Sequence, residues 1–241
     1  DKVVNSFGVQ DDFLYDYAIP VLNQRAATGQ PFFATLLSIS NHPPYVIPPF
    51  FHPKTSEPET QIVEYADWAL RQFFEEARKQ PWFDNTIFVL EGDHGKLVGD
   101  AECELPESYN HIPLMIYSSR IQPEEKTTFG GQVDIQPTIL GLLNIDYLQN
   151  NFGVDLLKEE RPCMFYTADN MVVGRNDTLL YLYNYETQQE LTYDIGNGKL
   201  NAVPMDDSFL PLKEYSFSML QSAEFLVKHG KTLNSIPFTQ Q

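Results

Sequence analysis

Four residues, Gly92-Asp93-His94-Gly95, place a carboxylate and an imidazole side by side between two glycines, directly after the apolar run 86–90. Both side chains are good ligands for a divalent cation: the carboxylate brings a hard, charged oxygen, and the neutral imidazole brings nitrogen. Adjacent residues reach one ion only if the backbone turns sharply, and the flanking glycines are expected to permit that turn. Two ligands do not complete a site, so further ligands must come from elsewhere. The competing reading of the same residues is that Asp93 caps a following helix and His94 is an ordinary loop residue. A second candidate is Asn41-His42, which follows the apolar run 31–39 and precedes Pro43 and Pro44. His42 either serves the same site or is structural. His111 heads a run that reads as a strand and suits packing or hydrogen bonding. His52 and His229 carry no signal, and Asp134 reads most simply as a helix N-cap.

These groups need elements to position them. Residues 11–27 carry apolar side chains at helical spacing, with Asp11 or Asp12 as N-cap and a kink expected at Pro20. Residues 31–40 read as a short buried strand ending in a proline-rich loop, and 59–79 as a long amphipathic helix. The segments 86–92 and 111–119 read as further strands, the first covered on both faces. Residues 133–145 read as a helix with Pro137 in its first turn. Strand and helix alternate, which predicts an α/β fold with a mostly parallel sheet flanked by helices. In such sheets ligands sit beyond the carboxyl ends of strands, which is where both candidates fall. From residue 161 the pattern changes to short strands separated by turn signals, Asn176-Asp177 and Gly196-Asn197-Gly198 among them. This predicts a small antiparallel C-terminal subdomain over 161–241 with a closing helix at 212–229, after an α/β portion over 1–160.

The bulk properties set limits. The chain has 241 residues, 42% of them hydrophobic, enough for a sizeable core. Asp and Glu total 33 against 16 Lys and Arg, a net charge of −17, and no basic patch is interleaved with aromatics; nucleic acid is excluded as a partner. An anionic substrate is not excluded, because a bound cation reverses the local field. Cys103 and Cys163 fit no metal-ligand spacing and could be free or bridged. No apolar run approaches the roughly 18–20 residues of a membrane span. The first residue is Asp1 rather than Met, which leaves room for an upstream leader or anchor.

Taken in order, "GDHG" (92–95), "NHIPLMIYS" (110–118) and "GGQVDIQPTILGLLNID" (130–146) resemble the sulfatase-like branch of the alkaline phosphatase superfamily. "PFFATLLSISNHPPY" (31–45) is most similar to the lipoteichoic acid synthase and phosphoglycerol transferase group, and "SFGVQDDFLYDYAIPVL" (6–22) is similar to the Gly-x-x-Asp segment that precedes that stretch in the group. The resemblance implies metal-dependent phosphoryl transfer or hydrolysis through a covalent intermediate on a metal-bound nucleophile. It assigns Asp93 and His94 to a divalent metal, with Mn, Mg, Ca and Zn all open, and His42 to the phosphate or headgroup of the substrate. The implied substrates are a phospholipid headgroup, a glycerophosphate or a sulfated glycan. The nucleophile and an acidic ligand are expected upstream of the segment matching 6–22, so no catalytic nucleophile is expected within the chain, and the 241 residues alone should turn over nothing. The resemblance further implies an extracytoplasmic parent tethered to the membrane by an N-terminal anchor. Sheet edges left exposed would permit oligomerisation. Hydrolysis of sulfate esters is the alternative activity, although no Cys-x-Pro-x-Arg sequence occurs here. A catalytically inactive domain of the same fold is the other alternative.

Overall fold

The computed structural model describes residues 3–5, 7–97, 99–128 and 130–231, with side chains of 3–5 excepted. Ser6 of the segment 6–22, and 232–241 of the expected subdomain 161–241, lie outside the described residues. The described chain gathers into two units, one of residues 1–90 and 114–122, the other of 91–113 and 123–241.

In the first unit, β1 (Val3–Asn5) pairs antiparallel with β2 (Gly8–Val9), and α1 (Asp11–Ala26) follows at once. The helix runs through Pro20 without interruption. α2 (Pro58–Ala77) opens with proline in its first turn, where the missing N–H costs nothing. Ala18 and Leu22 of α1 meet Phe73 and Ala77 of α2, and Trp82 and Phe83 close this core from beyond the end of α2. The indole of Trp82 donates to Asn23 Oδ1 at 2.6 Å, and Asn23 Nδ2 donates to Gln80 at 3.0 Å, so the polar edge of the core is satisfied. β3 (Phe88–Glu91) and β4 (Leu114–Tyr117) form a two-stranded sheet. Their aromatics, Phe88 and Tyr117, join Phe74 and Phe83 in one cluster with ring centroids 5.0–6.1 Å apart.

Two expectations are corrected here. Residues 31–39 enter no ladder among the described residues, and Phe33 and Leu37 are 86% and 71% exposed. An apolar run makes a strand only when a neighbour supplies its hydrogen bonds, and the described residues supply none. β3, although paired with β4, is half-buried rather than covered on both faces.

In the second unit, a single 3-10 turn (Gln132–Asp134) leads into α3 (Ile135–Leu142), with Pro137 in the first turn as expected. The tail is a five-stranded antiparallel meander in chain order: β5 (Met164–Ala168), β6 (Met171–Arg175), β7 (Leu179–Asn184), β8 (Gln189–Asp194) and β9 (Asn201–Ala202). Asp169 and Asn170, both at positive φ, join β5 to β6 in the mirror-image turn that matches strand twist. The two-residue period sorts the sheet's faces: Leu180 and Leu182 pack with Leu105, Met171, Val173 and Tyr193, while Tyr181 between them packs with Cys163, Phe209 and Leu212. α4 (Leu210–Lys228) lies on β5 and β6. Its close approach needs Gly174, where a Cβ would stand 2.6 Å from Ser216 Oγ and 2.9 Å from the Leu212 carbonyl oxygen. Both cysteines are free thiols.

The fold is therefore α/β with an antiparallel C-terminal sheet of five strands. Among the described residues, no helix is long and apolar enough to cross a membrane.

Candidate functional site

Asp93 and His94 lie in the loop that leaves β3, within the second unit. None of the described residues from 94 to 106 is helical, so Asp93 caps no following helix. Its Oδ1 accepts the N–H of His94 at 3.0 Å, which leaves Oδ2 free to face outward. His94 Nδ1 lies 2.7 Å from the carbonyl oxygen of Gly95. A carbonyl only accepts, so Nδ1 carries the proton and Nε2 keeps its lone pair. That lone pair sits 3.9 Å from Asp93 Oδ2, and both side chains are mostly exposed, at 68% and 77% for His94 and Asp93. Ligands about 2.1 Å from one ion at tetrahedral angles stand about 3.4 Å apart, so a small side-chain rotation suffices.

The donor set thus fits two positions of a divalent cation. The arrangement of the second nitrogen is the usual one for a metal-bound imidazole, whose other N–H is held by a carbonyl. Among the described residues no three His, Cys, Asp or Glu side chains form a group that could hold a metal ion.

The two glycines differ from the sequence expectation. Neither Gly92 nor Gly95 has the positive φ that would demand glycine. Gly95 is required by approach: its N–H donates to the Tyr109 carbonyl at 2.8 Å, and a Cβ would stand 1.9 Å from the Ser108 carbonyl oxygen. At Gly92 a Cβ would meet its nearest atoms at 3.4 Å. On the loop's other side, Gln132 Nε2 donates to the carbonyls of Gly92 at 3.2 Å and Asp93 at 2.9 Å.

His42 belongs to the first unit. Its loop is held by Asp11, a buried carboxylate whose Oδ1 accepts the N–H groups of Ile39 and Ser40, each at 3.0 Å. The Asp11 N–H in turn donates to Ser40 Oγ at 3.1 Å. Asp11 is therefore no N-cap; that position is Gln10, and the carboxylate serves the distant loop instead. The His42 ring lies against Phe7, centroids 4.1 Å apart, and its Nδ1 is 2.7 Å from the Pro43 carbonyl oxygen.

The other histidines are placed elsewhere. His111 precedes β4 as an exposed loop residue. His52 is exposed, and His229 caps the end of α4. Asp134 is more than a cap. Fully buried, it accepts from Gly131 N at 2.8 Å, Val154 N at 2.8 Å and Arg161 Nε at 3.0 Å, and Arg161 Nη2 bonds its other oxygen. Asp11, Gln132 and the Asp134–Arg161 pair were not singled out as site residues from the sequence. Only the Gly8-x-x-Asp11 spacing carried any signal. Burial raises the pKa of both thiols; nearby Glu104, Glu107 and Glu102 add to the rise at Cys103, and Arg161 opposes it at Cys163.

Comparison with known proteins identifies the family. The sulfatase family model matches residues 2–145. Lipoteichoic acid synthase 1 of Bacillus subtilis is 27% identical over 220 residues, covering 83% of this chain and 33% of that protein. Lipoteichoic acid synthase of Staphylococcus saprophyticus is 28% identical over 182 residues, 65% of this chain and 27% of that one. The chain thus spans about a quarter to a third of the length of the curated relatives it matches. Among solved structures, a protein in the alkaline phosphatase superfamily from Vibrio parahaemolyticus superposes with a TM-score of 0.80 at 25% identity, over 95% of this chain and 57% of that one. The lipoteichoic acid synthase LtaP of Listeria monocytogenes superposes at 0.74 and 22% identity, over 98% and 62%. The family match takes in β3, its Gly-Asp-His-Gly loop, the Asp11-anchored His42 loop and α3 together, and on that extent the chain belongs to the sulfatase family.

Proposed function

We propose that the chain supplies the metal-holding loop and a substrate-contacting histidine of a phosphoglycerol-transferase-type enzyme. Its substrate class is a phospholipid headgroup or glycerophosphate polymer. The observation that carries the reading is the Asp93–His94 pair, with one carboxylate oxygen and one imidazole lone pair left open 3.9 Å apart. Similarity to the lipoteichoic acid synthases supports the substrate class.

In this reading Asp93 and His94 hold a divalent cation. Such an ion lowers the pKa of a hydroxyl nucleophile and neutralises charge on the non-bridging phosphate oxygens. Asp93 contributes the negative charge that keeps the ion in place, and the Gly95 carbonyl, by holding Nδ1, leaves His94 Nε2 as the nitrogen for the ion. His42 contacts the phosphate or headgroup of the substrate through Nε2. Protonated, it donates a hydrogen bond to the phosphate or a proton to the leaving oxygen; neutral, it accepts the proton of an incoming hydroxyl. Phe7 limits how the ring can turn. The nucleophile and the remaining ligands come from polypeptide of the parent beyond these 241 residues. The 241 residues alone are therefore inactive. The parent is extracytoplasmic and membrane-tethered.

Sulfate-ester hydrolysis is the second reading, favoured by the family description itself. A Thr nucleophile in the parent selects phosphoryl chemistry and a formylglycine selects sulfate. The test uses the full-length parent. Asp93→Asn should lower turnover more than about 100-fold and remove the thermal stabilisation that a divalent cation gives the native state. His42→Ala should lower turnover with metal-dependent stabilisation kept. Wild-type turnover in Asp93→Asn would overturn the reading, and a parent unaffected by any divalent cation would be a catalytically inactive relative.

A further inference from the structure

We infer that Gln132 is a positioning residue for the metal pair: its amide group sets the backbone of Asp93, and so the direction of the carboxylate. The inference rests on the metal reading of Asp93 and His94.

Gln132 opens the 3-10 turn at the head of α3, 39 residues along the chain from Asp93. Its Nε2 reaches two carbonyl oxygens, Gly92 at 3.2 Å and Asp93 at 2.9 Å. Both partners are acceptors, so only the NH2 end of the amide satisfies them, and both of its N–H groups are spent there. The Gly92 carbonyl belongs to the peptide plane before the Asp93 Cα, and the Asp93 carbonyl to the plane after it. Fixing both planes fixes φ and ψ of Asp93. The next plane is held separately, by the bond from Gly95 N–H to the Tyr109 carbonyl at 2.8 Å. Three consecutive peptide planes are thus clamped, two of them by one side chain.

The clamp has a rigid base. The turn carrying Gln132 is closed by Gly131 N–H on Asp134 Oδ2 and by Asp134 N–H on the Gly131 carbonyl at 2.9 Å. Asp134 is in turn gripped by buried Arg161. A ligand loop with exposed side chains needs such support, because a carboxylate free to swing loses part of its binding free energy to ordering.

The test is made on the full-length parent with Mn2+ as probe. Gln132→Met keeps the length of the side chain and removes the donors; Gln132→Ala removes the side chain. Both should weaken Mn2+ binding by about 10–100-fold in calorimetric titration, the usual cost of losing a residue that orients a ligand. Both should melt within a degree or two of wild type in chelator, because Gln132 is exposed. Wild-type Mn2+ affinity in Gln132→Met, with affinity lost in Asp93→Asn, would overturn the clamp and leave the metal reading standing. An equal fall in melting temperature with and without metal would make Gln132 merely structural and also overturn it. Unchanged affinity in Asp93→Asn as well would overturn the metal reading and the clamp together.

Discussion

Asp11 and Ser40 hold each other across 29 residues: Asp11 Oδ1 accepts the Ser40 N–H at 3.0 Å, and Ser40 Oγ accepts the Asp11 N–H at 3.1 Å. The pair joins the first turn of α1 to the residue two places before His42, and both partners are buried. A loop whose backbone would otherwise need water is thereby anchored to the positive end of a helix.

Removing the carboxylate should show this. Asp11→Ala leaves the Ile39 and Ser40 N–H groups without an acceptor, at about 1–3 kcal/mol for each buried donor. Asp11→Asn keeps an oxygen where both bonds converge and should lose less than half as much. Urea unfolding of the two variants checks the order, and equal losses would mean that charge, not the acceptor, matters.

The two glycines that flank Asp93 and His94 should separate sharply. Gly95→Ala drives a methyl to 1.9 Å from the Ser108 carbonyl and must displace backbone, so metal-dependent stabilisation and turnover of the parent should fall together. Gly92→Ala meets its neighbours at 3.4 Å and should retain most of both. Thermal melts with and without divalent cation measure the difference.

Arg161→Met should be among the most destabilising single changes, about 3–5 kcal/mol, because it strands the Asp134 carboxylate in the interior. Adding Asp134→Leu on top should not double that loss, since the stranded charge goes with it. Denaturant unfolding of the single and double variants gives the coupling.

Alkaline stability is set in part by buried tyrosines. Burial pushes Tyr166 up to about 12 from an ordinary 10.0, with Arg175 opposing the shift and Glu107 adding to it. The folded chain therefore keeps this proton where the unfolded chain has released it. The associated stability is intact below pH 10 and is lost as pH rises from 10 towards 12. Tyr166→Phe should flatten that slope, by at most about 1.4 kcal/mol per pH unit. Urea unfolding followed by circular dichroism at pH 9, 10.5 and 11.5 reads it directly.

Much of this was legible in the amino-acid order because it is local. Helical spacing marked α1 and α2, turn residues marked the C-terminal meander, and the candidacy of neighbouring Asp93 and His94 as metal ligands needed only their adjacency. The run 31–39 shows the limit: apolar residues favour an extended chain, but a ladder needs a second strand, and here Phe33 and Leu37 stay exposed. Tertiary structure alone decided why Gly95 is glycine, because the Ser108 carbonyl that excludes a side chain arrives from 13 residues away. It alone converted Asp11 from a cap into a strap, paired Asp134 with Arg161, and brought the Gln132 amide to the loop of Asp93. These are hydrogen bonds between residues 27 to 40 places apart, and no periodicity or composition encodes which donor will meet which acceptor once the chain has folded.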